Sequence, residues 1–236
     1  MDIAPSGKRF IKIALVLFPA MAIDLTIIIP TYNEERRLLK TLKAYTSFFD
    51  HRLSCEYIVT DQSRDNTRQI VRHFMKRHKN VHLLCLPGRG KGGAVLEAFK
   101  ISTGKFIGFT DADNSTAPQE FYKLYKNMDG YDAVIGSRGL SRSNVVHYHQ
   151  PHLRKLGSFI LGVVFVRILF GLKIKDTQCG AKIFRREPLL RVIKNMRIRN
   201  SIFDIELLWR FSRVGSIKEV PITWVDDKFS NFRWHE

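Results

Sequence analysis

Between residues 25 and 135 this chain repeats one pattern: a short apolar run, a polar or glycine-rich break, then a stretch with helical spacing. The apolar runs are 25–29, 56–60, 81–86, 106–110 and 132–135. Runs this short, apolar on successive positions, suit strands buried on both faces. The stretches between them place apolar residues three and four apart, as in Leu38, Leu39, Leu42 and Tyr45, or Ile70, Val71, Phe74 and Met75. Helices are expected there and again over 91–102 and 118–128, with Asn33 and Asp65 placed to cap the first two. Strand and helix in strict alternation require crossover connections. The chain is therefore expected to form an α/β fold around a mostly parallel, doubly wound sheet.

In such a sheet ligands bind just beyond the carboxyl ends of the strands. Four of those ends carry polar or glycine-rich groups: Pro30-Thr31-Tyr32-Asn33-Glu34, Asp61 to Thr67, Pro87 to Ala94, and Asp111-Ala112-Asp113. Two carboxylates one residue apart offer hard oxygens to a divalent cation that also carries phosphate oxygens. Glycines beside Lys91 at a helix start would offer N–H groups and a point charge to an anion. Their spacing matches neither the G-x-x-x-x-G-K-[ST] loop nor G-x-G-x-x-G. Each segment alone would serve as a helix cap. Four in succession along one edge predict a nucleotide-diphosphate and metal site.

The bulk properties agree with an ordinary core and a basic surface. Of 236 residues, 44% are apolar, enough for one large domain. The formal net charge of +17 attracts nucleic acid, anionic lipid or phosphorylated ligands without choosing among them. No nucleic-acid-binding motif accompanies it, so nucleic acid is disfavoured as a partner. Cys55, Cys85 and Cys179 are read as reduced core residues of a cytosolic protein. Lys8-Arg9 precede an apolar segment, 10–20, that is too short to span a bilayer. It is either a leader or an extension upstream of Met21, because the folded pattern starts at Ile23.

After residue 137 the style changes. Residues 137–152 are polar and basic, with Arg138 and Arg142, and are expected to form a mobile loop. Residues 153–172 read as a long apolar helix carrying Arg154, Lys155 and Arg167. Such a helix suits the membrane interface, where cations snorkel and the net charge favours anionic lipid. An amphipathic helix over 198–213, a strand over 217–222 and a polar tail over 226–236 complete the chain.

The motifs, taken together, resemble the inverting family 2 glycosyltransferases, which have the GT-A fold. Ile27 to Glu35 is similar to their opening strand and loop, Asp61 to Thr67 to their D-D-G-S-x-D-x-T stretch, and Asp111-Ala112-Asp113 to their metal-binding D-x-D. Further motifs narrow the likeness: Gly90 to Ala94, Gly136-Ser137-Arg138, Asp176-Thr177-Gln178-Cys179-Gly180, Phe203 to Leu208, and Glu219 to Trp224. This set resembles the dolichyl-phosphate β-glucosyltransferase branch, close to the dolichyl-phosphate mannose synthases.

The resemblance implies a domain over 23–225, with a nucleotide-binding half to residue 136 and an acceptor half after it. It implies that Pro30, Tyr32, Glu34 and Asp61 hold uracil and ribose, that Lys91 faces the diphosphate, and that Asp111 lies near ribose and sugar. Asp113 would be the protein ligand of Mg²⁺ or Mn²⁺. Arg138 would meet phosphate or acceptor, and Asp176, Gln178, Asp204 and Glu206 would shape the sugar pocket. The implied partners are a UDP-sugar and a polyprenyl or dolichyl phosphate, met peripherally on the cytoplasmic face of a membrane. A lipid phosphate is already anionic, so its attack needs no strong base. The alternative, a hydroxyl acceptor, would need one, and Asp176 or Asp204 would supply it. Departures from the family are Thr60 and Gln62 for its usual Asp and Gly, Asn114 for Gly, and Phe229-Ser230-Asn231 where the branch often has Gly-Ser-Lys.

Overall fold

The computed structural model describes residues 22–88, 90–146 and 171–225. The expectations for the leader, for the tail and for all but the last two residues of the helix over 153–172 lie outside the described residues. In chain order the elements are β1 (Leu25–Thr31), α1 (Leu38–Phe49), β2 (Cys55–Asp61), α2 (Thr67–Met75), β3 (Val81–Cys85), α3 (Gly90–Ile101), β4 (Phe106–Phe109), α4 (Pro118–Lys126), β5 (Ala133–Ser137), β6 (Asn144–Val146), β7 (Lys182–Arg185), α5 (Arg186–Ile193), α6 (Phe203–Phe211), β8 (Ile217–Pro221) and β9 (Thr223–Val225).

Seven strands form one sheet in the order β3-β2-β1-β4-β7-β5-β8. All its neighbouring pairs are parallel except those of β7, which runs antiparallel to both β4 and β5. The expected doubly wound sheet is present, with one reversed strand that was not anticipated. Lys182 at its start breaks an otherwise apolar run, and four residues are too few to show a period. The expected loop after residue 137 also departs from expectation within its described part. Asn144–Val146 pairs in parallel with Thr223–Val225 as a separate two-stranded sheet. Of the three cysteines, Cys55 and Cys179 are buried as expected, whereas Cys85 closes the edge strand β3 and is exposed.

Alternation along the strands divides the core in two. Leu25, Ile27, Ile29, Tyr57 and Val59 point to the face covered by α1, α2 and α4. Ile28, Ile58, Ile107, Phe109 and Phe184 point to the face covered by α3, α5 and α6. Buried apolar side chains on both faces explain why the strands read as continuous apolar runs. On the first face, Phe121 of α4 meets Tyr45 and Phe49 of α1 edge-on, with ring centroids 5.8 and 6.3 Å apart. All three rings are wholly buried. Phe121→Ala is expected to cost about 3–5 kcal/mol through lost burial and the cavity left behind, measured by urea unfolding.

Candidate functional site

Because six of the seven strands run the same way, the ends of β1, β2, β3 and β4 meet at one edge. The loops after β1 and β2 are joined there by reciprocal hydrogen bonds. Asn33 N donates to Ser63 Oγ at 2.8 Å, Arg64 N donates to Asn33 Oδ1 at 3.0 Å, and Glu34 N donates to Thr67 Oγ1 at 2.8 Å. Asn33 holds a left-handed φ of 57° to do this. It is therefore not the cap of α1, which begins five residues later at Leu38 after Arg37. Asp65 does act near the start of α2, accepting from Thr67 N at 3.0 Å.

Asp61 is wholly buried, and its carboxylate accepts from Arg68 Nε at 2.9 Å, Ser63 N at 3.2 Å and Thr31 Oγ1 at 3.3 Å. Tyr32 is exposed on the rim, next to the half-buried Pro30. Glu34 is clamped by Arg37, whose Nε and Nη2 donate to its two oxygens at 2.8 and 2.7 Å. Burial nevertheless raises the Glu34 carboxyl, against the pull of Arg37 and with help from Asp113 and Asp111. Arg37 Nη1 also lies 4.0 Å from Asp113 Oδ2. Arg37 was not among the expected site residues. Its Glu34-x-x-Arg37 spacing is the sequence signal that would have found it.

The Asp111–Asp113 segment is held from beneath by polar groups of α1. Thr41 Oγ1 donates to Ala112 O at 2.6 Å, and Tyr45 Oη meets Thr110 Oγ1 at 2.9 Å and donates to Thr116 O at 2.8 Å. Thr41 and Tyr45 lie one helical turn apart, so one buried face of α1 fixes the whole turn. Asn114 adopts φ 59°, a conformation asparagine tolerates better than most residues. Lys91 Nζ donates to Asp111 Oδ1 at 2.5 Å. Burial alone would raise the Asp111 carboxyl, but Lys91, Lys182 and Arg138 together outweigh it and the net direction is down. The Asp113 carboxyl moves up, through burial and then the charge of Asp111, although Ser115 N donates to its Oδ1 at 2.9 Å.

The glycine cluster serves a different purpose from the one anticipated. Gly92 N donates to Asn200 O at 3.3 Å and Gly93 N to Arg199 O at 2.7 Å. These two N–H groups are thus taken by backbone carbonyls and are not a phosphate cradle. A Cβ at Gly92 would meet Phe203 Cβ at 2.5 Å, so glycine permits the start of α6 to pack on α3. Of the cluster, Lys91 is the group that faces the site.

The wall opposite is built by β5, by the segment before β7 and by α6. Arg138 Nε and Nη2 donate to the two oxygens of Asp176 at 2.7 and 3.0 Å, and Arg138 N adds a third bond at 2.9 Å. Burial would raise Asp176, but this fork holds it below its usual value. The Arg138 guanidinium stands 5.4 Å from the Trp224 ring. Gln178 is exposed, and its N–H donates to Asp176 Oδ1 at 3.1 Å. Gly180 passes so close to Asp111 that any Cβ would overlap the carboxylate. Asp204 Oδ1 lies 2.8 Å from Lys182 Nζ in a fully buried ion pair. Glu206, two residues on, points elsewhere: it accepts from Arg197 N at 2.9 Å, Ile198 N at 2.6 Å and Arg210 Nε at 2.8 Å. Helical residues two apart do not share a face, which is why Asp204 and Glu206 do not form a pair. Thr60 is buried with its hydroxyl unpartnered among the described residues, and Gln62 Nε2 donates to Gly90 O at 3.3 Å.

The fold is that of the GT-A glycosyltransferases. A model of the Glycosyl transferase family 2 matches residues 26–192, and the chain belongs to that family. A dolichyl-phosphate beta-glucosyltransferase of Trichomonas vaginalis is 32% identical over 94% of this chain and 69% of its own length. Those of Dictyostelium discoideum and Saccharomyces cerevisiae are 33% and 30% identical, over 88% and 86% of this chain and 68% and 67% of theirs. Among solved structures, glucosyl-3-phosphoglycerate synthase from Mycobacterium tuberculosis, crystallised with Mn²⁺, UDP-glucose and phosphoglyceric acid, aligns with a TM-score of 0.64 at 18% identity, covering 90% of this chain and 73% of that one. S. aureus TarS 1-349 with UDP-GlcNAc aligns with a TM-score of 0.58 at 19% identity, covering 88% and 60%.

Glu206 yields a prediction about acid stability. Burial pushes its carboxyl up, but the Ile198 and Arg197 N–H groups and Arg210 together hold it below the ordinary value of 4.5. A depressed carboxyl stabilises the fold above its unfolded pKa, and that stability is lost as pH falls through the folded pKa. Glu206→Gln is expected to cost about 1–3 kcal/mol at neutral pH. It is also expected to lose less further stability than the parent between pH 7 and roughly pH 4. Urea unfolding at the two pH values measures both.

Proposed function

We propose that this chain moves glucose from UDP-glucose to a polyprenyl or dolichyl phosphate, with inversion, at the cytoplasmic face of a membrane. The observation that carries the choice of acceptor is the commitment of the carboxylates on the acceptor wall. Asp176 has both oxygens on Arg138, Asp204 is paired with Lys182, and Glu206 is held by two N–H groups and Arg210. Asp176 and Glu206 are held in their charged forms, and Asp204, although burial raises its carboxyl, is closed off from an acceptor by its burial beside Lys182. An anionic acceptor does not require a base. One of its oxygens attacks the anomeric carbon as the bond from that carbon to the diphosphate breaks, and UDP leaves with the electron pair.

Arg138 is assigned to the acceptor phosphate. Its planar fork is anchored by Asp176 and backed by Trp224, so its orientation is set before the acceptor arrives. Asp176 and Gln178 border the sugar, Lys91 turns to the diphosphate, and Asp111 serves ribose and sugar. Pro30, Tyr32, Glu34 and Asp61 are assigned to the base and ribose. Gln62 ties the end of β2 to the glycine loop beside that subsite.

The residues fit a divalent cation. Asp113 carries its N–H bond on Oδ1, while Arg37 Nη1 stands 4.0 Å from Oδ2. Asn114 Oδ1 is buried and unpartnered among the described residues. Among those residues no three His, Cys, Asp or Glu side chains converge as a metal cage. A cation held by one or two carboxylates together with ligand phosphates suits that donor set. Asp113, with Asp111 beside it, would hold Mg²⁺ or Mn²⁺, which neutralises charge on the departing diphosphate. Among the described residues no helix is long and apolar enough to cross a membrane, and a peripheral position is proposed.

The test is transfer of radiolabel from UDP-glucose in the presence of dolichyl phosphate and Mn²⁺. Label is expected in an organic-extractable product that mild acid releases. Label in a glycan with none in lipid would overturn the lipid acceptor. Asp113→Asn is expected to lower the rate by about 100-fold or more, with an unchanged melting curve.

A further inference from the structure

Lys182 begins β7 with its side chain wholly buried, an unusual place for a lysine. Its Nζ lies 2.8 Å from Asp204 Oδ1, donates to Cys179 O at 2.5 Å, and stands 5.2 Å from the centre of the Phe109 ring. Its field also reaches Asp111 and Asp176. Three carboxylates, from the end of β4, the segment before β7 and the start of α6, thus share one cation beneath the site. Lys91 is the second cation within electrostatic reach of Asp204, and it is hydrogen-bonded to Asp111. The two lysines differ in freedom. The Lys91 side chain is 32% exposed and the Lys182 side chain 0%. One can swing toward a ligand and the other cannot.

A buried ion pair is a poor device for stability alone, because apolar residues of similar shape often do as well. Its position under the proposed diphosphate subsite calls for another account. We propose that Lys182 is a positioning residue: by holding Asp204 in a closed ion pair, it leaves Lys91 able to turn from Asp111 to the incoming diphosphate. Asp204 is then the counter-ion of Lys182 and not a wall of the sugar pocket. Without Lys182, Asp204 is a buried carboxylate whose nearest remaining cation is Lys91. Lys91 is drawn onto it and lost to the ligand. The inference rests on the nucleotide-diphosphate reading of the site.

Calorimetric titration of the full chain with UDP in the presence of MnCl₂ tests it, with melting curves run in parallel. Lys182→Met is expected to weaken UDP binding roughly 10-fold to 100-fold, the range seen when an outer partner of a ligand-holding group is removed. The double variant Lys182→Met/Asp204→Asn removes both charges and is expected to recover affinity to within about 3-fold of the parent. A purely structural role would lower the melting temperature of Lys182→Met and leave UDP affinity unchanged in the folded protein. That result overturns the inference, as does a double variant that binds no better than the single one. Should Lys182→Met not fold, Asp204→Asn and the double variant decide. Both are expected to bind UDP at least about as well as the parent, within 3-fold, and a larger loss in either overturns the inference. A parent chain that binds no UDP overturns the proposed function along with it, whereas a binding parent with an equally tight Lys182→Met overturns the inference alone.

Discussion

The parallel pairing of β1 with both β2 and β4 is the constraint on which the rest of the molecule depends. It aligns Thr31 with Asp61 and runs β4 beside β1, so that Asp111 follows at the same edge. No single loop makes the site. Each loop is anchored to a strand of the sheet, and the order of the strands decides which loops are neighbours. The reversed strand β7 serves the same end from the other direction. Because it runs backwards, its beginning, and not its end, arrives at this edge, bringing Asp176, Gly180 and Lys182 against Asp111 and Asp204.

The electrostatics of that edge follow from its crowding. Acidic and basic groups alternate through the site: Glu34 with Arg37, Asp111 with Lys91, Asp204 with Lys182, Asp176 with Arg138. Each cation opposes the desolvation that burial imposes on its carboxylate; the cations prevail at Asp111 and Asp176, and burial prevails at Glu34 and Asp204. The Asp113 carboxyl is raised as well, by burial and then by the charge of Asp111, with its cationic neighbour Arg37 standing off at 4.0 Å. The proposed choice of an anionic acceptor rests on the pairings of Asp176, Asp204 and Glu206.

Much of the fold was legible in the sequence, for a physical reason. Buried strands leave continuous apolar runs, and five of the nine are visible in that way, with β8 a sixth expected over 217–222. The reversed strand was not, since Lys182 interrupts it and its partners lie far away in the chain. β6 and β9, three residues each, are too short to carry any period. In the site, D-x-D and the strand-end motifs stood out because polar groups after apolar runs are conspicuous. The role of the glycine cluster was misread because spacing cannot tell a loop open to a ligand from one pressed against a helix. Tyr45 is read only through the helical pattern and Thr41 not at all, although their hydroxyl groups secure the D-x-D turn. Long-range hydrogen bonds of that kind leave no local trace.

Asn114 has a consequence that reaches the unfolded chain. Where the family commonly places glycine after D-x-D, this protein keeps the left-handed bend with a side chain attached. A glycine there would roam more widely before folding and lose more entropy on being fixed. Asparagine narrows that loss while still accepting the bend. The turn that presents Asp113 therefore reaches its working shape from a smaller set of starting conformations. Part of its order is invested in the choice of residue before any contact to α1 is made.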